Sequence, residues 1–404
     1  MKKNYLFGML ALAAMTMVGC SNDEVVNDYS QDNAIEFGTY IGRDASSRAH
    51  VIDTDVLAKE GFGVFAYYHQ GTKDAAGTYT ASSKPDFMYN EEVKGEKGND
   101  GNYTWSYSPV KYWPNNLNDR VSFLAYAPYD ANANIETLAE NNTSIKFLVE
   151  ETVTEQIDLL YLCQEENTIN LEKQTIKDRV QFHFLHALSR IGFNAEVMVD
   201  MVNNDQTGDK DDNMKEGSED ITYQDKVELA DGTKIVINKV TFSGNFYKQG
   251  ILNLYGGAWT PTTPSGVTNF VLTKEDNFGQ GNPSYTFTNK DGKNKRPLNS
   301  LESYIMIIPQ DFTDVEKNGT LTVTVDYDVF TEDTALPEVS GWGKGSLVNN
   351  VITSDPFIVD FKQGKAYNFT LHIGMTSVKL SATVESWGTP EDIVVNVPLN
   401  KGSN

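Results

Sequence analysis

The stretch "LTVTVDYDVF" (321–330) alternates apolar and polar residues over ten positions. Leu321, Val323, Val325, Tyr327 and Val329 fall on one face, and Thr322, Thr324, Asp326 and Asp328 on the other. Successive side chains of an extended chain point to opposite faces, so this period of two predicts a half-exposed strand of an antiparallel sheet. The pattern recurs along the chain. "YNFTLHIG" aligns Tyr367, Phe369, Leu371 and Ile373, and "VKLSATVESW" aligns Val378, Leu380, Ala382 and Val384. "GFGVFAYY" and "VSFLAYAP" are apolar on both faces, as central strands under cover would be. Helical windows are few; "ANANIETLAENN" (131–142) could supply a short helix at most. Many short strands punctuated by Gly, Asn and Pro predict an all-β chain of antiparallel β-sandwiches. Apolar residues reach 39% and aromatics 11%, enough for packed cores rather than disorder.

Long polar insertions at 90–102, 203–220 and 255–266 exceed ordinary hairpin connections and are expected as exposed loops. A polar stretch, "NTINLEKQTIKD" (167–178), suits a boundary between two domains, 49–175 and 176–404. The following run, "VQFHFLHALSRIGFNAEVMV", changes parity midway. Val180, Phe182 and Phe184 alternate, then Ile191, Phe193, Ala195, Val197 and Val199 do so in the opposite phase. One long strand with a bulge near 187–190 would reconcile them, and a helix is the alternative.

The N-terminus carries Lys2 and Lys3, then an uncharged, mostly apolar run from Leu6 to Val18. That run is shorter than the ~20 residues of a membrane span and suits a signal peptide over residues 1–19. Its end, Met17-Val18-Gly19-Cys20, resembles the lipobox of bacterial lipoproteins, with Met17 standing where Leu is usual. The resemblance implies that Cys20 becomes the first mature residue and carries acyl chains such as palmitate, anchoring the protein to the outer membrane; two or more chains hold stably. An ordinary secretory signal with an idle thiol is the alternative. Cys163 then has no partner for a disulfide and is expected as a small buried hydrophobe.

The formal net charge of −23 argues against nucleic acid as a partner. His183 and His186 have no further ligand at zinc-like spacing, and on a strand they would face opposite ways. Asp209, Asp211 and Asn213 begin like a calcium loop, but Met214 replaces its glycine and Asp220 its bidentate glutamate. No nucleophile elbow, phosphate loop or dinucleotide fingerprint occurs, so neither an enzyme nor a cofactor is expected. Among five tryptophans, Trp113 and Trp387 are expected in cores. Trp259 and Trp342, in glycine-rich loops, are candidates for stacking on a glycan.

Several segments taken in order resemble the fimbrillin family of Bacteroidales, the FimA-like and Mfa-like pilus subunits: "AIEFGTY", "SRAHV", "GFGVFAYY", "YWPNNLNDRVSFLAYAPYD", "VQFHFLHALSRIGF" and "GKAYNFTLHIGMTSVKLSATVESW". The resemblance implies two transthyretin-like antiparallel β-sandwich domains of Greek-key type, export as a lipoprotein, and assembly with other subunits into cell-surface pili by strand exchange. It further implies that a trypsin-like protease removes a leader segment (20–48) bearing the first strand, and that the vacated groove accepts a neighbour's strand.

In this chain "NAIEFGTYI" is the candidate leader strand, with Ile35, Phe37 and Ile41 on one face. Arg43 and Arg48 follow in a Gly/Ser/Asp-rich stretch of the kind proteases nick. The Arg48-Ala49 bond suits trypsin-like cutting better than Arg43-Asp44, whose acid follows the scissile bond; a plain surface linker is the alternative. At the other end Ile393, Val395, Val397 and Leu399 alternate within 391–400, as a donated strand filling a groove requires. They would equally suit the last strand of the protein's own second domain. The expected function is a structural and adhesive fimbrial subunit. Two other readings stay open: a monomeric, lipid-anchored protein that binds glycans of a host or bacterial surface or anchors a pilus, and a carbohydrate-active enzyme, which the lack of a compelling acid pair disfavours.

Overall fold

The computed structural model describes residues 33–41, 52–73, 79–81, 84–116, 118–129, 135–137, 143–162, 168–172, 179–197, 229–262, 264, 266–275, 278, 285–288, 296–298, 304–374, 378–387 and 392–393. The expected loci Cys20, Arg43, Arg48, Ala49, Cys163, Asp209, Asp211, Asn213, Val395, Val397 and Leu399 lie outside them.

Strands dominate, as the alternation requires, and four sheets organise most of them. The first half builds an eight-stranded sheet in the order 37–41, 180–186, 160–162, 120–127, 62–73, 88–97, 103–106, with 79–81 also pairing 62–73. The second half forms two six-stranded sheets. One is centred on Ser189–Val197 and Lys365–Ile373, the other on Thr233–Gly244 and Thr322–Glu332. Val323, Val325, Tyr327 and Val329 are buried together, as the period of two predicts. Among the described residues two pairings are parallel, Phe37–Ile41 with Val180–Phe184 and Arg190–Val197 with Ala366–Ile373, so these sheets are mixed rather than purely antiparallel.

The strands that are apolar on both faces serve two cores. Val121, Phe123, Ala125 and Ala127 enter a core inside the first sheet, while Leu124 and Tyr126 enter the core that the second half builds. Phe62, Val64 and Ala66 against Phe65 repeat the division. Thr54–Glu60, a helix of seven residues, covers the first core with Leu57 and Ala58. It is bounded by the Asp53 carboxylate, which accepts from the Val56 amide at 2.8 Å, and by Gly61 at φ 75°.

The run from 180 is neither one bulged strand nor a helix. Val180–His186 closes the first sheet, and Ser189–Val197 opens a sheet of the second half. The parity change is a change of core: Val180, Phe182 and Phe184 face one, Ile191, Phe193 and Ala195 the other. At the switch the Ala187 amide donates to Leu159 O at 2.7 Å, and Leu188 O accepts from the Gly364 amide at 2.9 Å, so the backbone is satisfied without a ladder. The chain thus changes sheets at 187–188. Ile135–Thr137 is a strand, in the window that could have supplied a short helix at most. It belongs to a fourth sheet, in the order 258–261, 249–253, 144–148, 135–137, which both halves of the chain build.

Candidate functional site

The candidate leader strand is seated in a slot between two segments. On one side Phe37–Ile41 runs parallel to Val180–Phe184, and the Val180 amide donates to Glu36 O at 2.9 Å. On the other, Ala34 bridges Tyr112; the Ile35 amide donates to Lys111 O and the Trp113 amide to Asn33 O, both at 2.9 Å. Ile35 and Phe37 are almost wholly buried, and Ile41 packs against the same core. The Phe37 ring lies 4.9 Å from Phe182, 5.3 Å from Tyr107, 5.7 Å from Phe123 and 6.4 Å from Phe62, centroid to centroid. The Tyr107 hydroxyl donates to Ile35 O at 2.9 Å. Burial pushes that phenol up to about 12. The strand's charged face is slight: Glu36 pairs with Arg179 at 3.2 Å near solvent, worth little. Apolar anchors and backbone hydrogen bonds hold the strand.

At Ile52 the first described polar contact is internal. The Ile52 amide donates to Asp158 Oδ2 at 3.2 Å, and His186 Nδ1 shares that oxygen at 2.8 Å. Asp158 is fully buried, and the His186 ring stacks on Trp387 at 4.0 Å and 5°. Ile52 is therefore fastened independently of the leader strand. His183 is half-buried and His186 buried, as expected of core residues.

At the other terminus Ile393 and Asp392 pair antiparallel with Val384 and Glu385, at the edge of a second-half sheet. The described start of the candidate donor strand thus rests on the protein's own sheet through two residue pairs.

The tryptophans divide. Trp113 and Trp387 are buried, as expected, and so is Trp105. Trp259 stands in the Ala258–Pro261 strand rather than a loop, because the Gly256-Gly257 turn at φ 156° and 69° sends the chain straight back along Gln249–Asn253. Its Nε1 donates to Ala187 O at 2.8 Å and its ring packs over Gly250, so its polar handle is used inside the fold. Trp342 sits in the turn before Gly343–Thr353, stacked on Phe330 at 5.4 Å and 28°. It borders a cavity of about 400 Å³ with Lys234, Thr288, Phe330, Glu332 and Lys344. The sequence reading missed Lys234 and Tyr107, whose partners lie in other segments; no local signal marks them.

A family model described as fimbrillin-like matches residues 47–387. No curated protein matches. Among solved structures, a candidate cell adhesion protein from Bacteroides uniformis ATCC 8492 is 15% identical, with a TM-score of 0.43, covering 88% of this chain and 99% of its own. A second, from Bacteroides ovatus ATCC 8483, is 14% identical, with a TM-score of 0.43 and coverages of 89% and 99%. A fimbrilin from Porphyromonas gingivalis W83 is 9% identical, with a TM-score of 0.35 and coverages of 88% and 96%.

Proposed function

The chain belongs to the fimbrillin-like family, and from that premise we propose that it is an adhesive subunit of a cell-surface fimbria that polymerises by strand exchange once its leader is cut away. The observation that carries this reading is the seat of the leader strand. Ile35 and Phe37 fill a core that the rest of the first sheet encloses, yet the strand is contributed from beyond a short arginine-bearing segment. Cutting at Arg48-Ala49 separates it covalently while Ile52 keeps its hold on Asp158. The vacated slot offers unpaired backbone along 180–184 and 111–113 and apolar pockets at alternate positions, which is what β-augmentation needs. An incoming strand with apolar residues at period two would replace Ile35 and Phe37.

Ile393, Val395, Val397 and Leu399 of a neighbouring copy meet that description. The hold of residues 392–393 on their own sheet is only two pairs long, so a donor segment beginning there has little to give up. Cys20 would tether the precursor to the outer membrane until cleavage frees the body.

The test is limited trypsin digestion of the purified chain, N-terminal sequencing, and electrophoresis without boiling. A new N-terminus at Ala49 together with a ladder of heat-resistant oligomers is expected. Clean trimming that leaves only monomers would overturn strand exchange and favour a monomeric anchored protein.

A further inference from the structure

We infer that the cavity beside Trp342 is a binding site for a carboxylate-bearing sugar ring, such as a uronic or sialic acid. The inference rests on the adhesive reading above and names the ligand class that reading leaves open. It begins with Lys234. Its ammonium lies 4.7 Å from the centroid of the Trp342 ring and 5.0 Å from that of Phe330. Among the described residues no carboxylate pairs with it. Aromatic faces attract a cation and fix its place without cancelling its charge, so among the described residues the ammonium is held at the cavity wall by ring faces rather than by a carboxylate. Lys344 adds a second positive charge to the same lining. This is notable in a chain of 33 basic against 56 acidic residues, where a random surface hollow would be negative.

The rest of the lining selects among anions. Glu332 contributes a carboxylate, which repels polyanions such as sulfated or phosphorylated chains but accepts hydrogen bonds from hydroxyls. Thr288 supplies a further hydroxyl. Trp342 is only half-buried, and an aromatic ring at a cavity wall is a surface on which the C–H face of a pyranose can pack. One anionic group, several hydroxyls and an apolar ring face together describe an acidic sugar. A volume of about 400 Å³ suits one or two such rings. The pieces come from four segments: Lys234 from the start of Thr233–Gly244, Thr288 from the end of Thr286–Thr288, Phe330 and Glu332 from Thr322–Glu332, and Trp342 and Lys344 from the following turn and strand. Lys234 and Thr288 are register partners, as are Lys234 and Phe330, so the ladder itself aligns the site.

Isothermal titration of the full, uncut chain tests this apart from polymerisation, which the ladder assay reads separately. The probes are a glucuronate-terminated tetrasaccharide, its carboxyl-reduced counterpart, sialyllactose, lactose and a glutamate hexapeptide. Losing one charge-assisted contact is expected to weaken binding about tenfold to a hundredfold. That loss should follow carboxyl reduction of the sugar and Lys234→Gln alike, with Lys234→Arg largely retaining affinity and Trp342→Ala weakening both acidic sugars. The glucuronate and sialic arms distinguish the two sugar sources. If Lys234→Gln lowers the thermal midpoint, the carboxyl-reduction arm on the unaltered chain still decides. Equal affinity for acid and reduced sugar, tighter binding of the glutamate peptide, or no binding of either acidic sugar would overturn the inference.

Discussion

Phe37→Ala addresses the leader strand directly. Phe37 is 1% exposed and touches four aromatic rings, so truncation removes a full aromatic contact set and leaves a void that the surrounding sheet cannot readily close. A buried Phe→Ala change costs about 3–5 kcal/mol. Because the strand is an edge element, much of that cost falls on its local detachment rather than on global unfolding. At about 1.4 kcal/mol per tenfold, opening becomes about a hundred to a few thousand times more frequent. The reporter is the Val180 amide, whose acceptor is Glu36 O. Native-state hydrogen exchange should show that amide accelerating by this factor, while amides of the 189–197 ladder keep their protection. Leu185→Ala, at a 43% exposed position on the neighbouring strand, is the control and should change little. Unchanged exchange at Val180, or a uniform loss of protection across both halves, would refute the idea that the leader is a separately releasable element.

Two further predictions concern buried groups. Tyr107 and Tyr367 are both pushed up to about 12, chiefly by burial, above the ordinary phenol value near 10. A raised folded-state value contributes stability that is complete below about pH 10 and is lost as pH rises through about 12. Urea midpoints should therefore fall over that window, and Tyr107→Phe and Tyr367→Phe should each lessen the fall; an identical fall in both variants would count against it. Asp158→Ala strips the shared acceptor from the Ile52 amide and His186 Nδ1 in a fully buried place. A stability loss of about 1–3 kcal/mol in urea titration is expected, and a loss under about 0.5 kcal/mol would show that these groups find other partners.

What could be read from the sequence was what local geometry imposes. A sheet with one covered face writes a period of two, so 321–329, 367–373 and 378–384 were legible, as were the doubly covered strands at 62–66 and 121–127. The Thr54–Glu60 helix is too short to show a helical period; only Asp53 and Gly61 mark its ends. The parity change after His186 was visible, but its cause was a change of core some residues away in space, which no local pattern encodes. Trp259 looked like a loop residue because glycines precede it, yet those glycines make the turn that puts it on a strand. Lys234 is brought beside Phe330 by a ladder spanning a long sequence separation, and Trp342 stacks on Phe330 from a later turn, so nothing beside either residue announces the cavity.

The sheet shared by the two halves has a mechanical meaning. Ser144–Leu148 is laced to Gln249–Asn253 through five register pairs, a seam joining modules that are otherwise consecutive in the chain. Pulling the two modules apart would have to break those five register pairs as well as straighten the connecting chain. Each unit should then resist stretch as a single strut, and compliance in any fibre it builds must reside at the joints between neighbours.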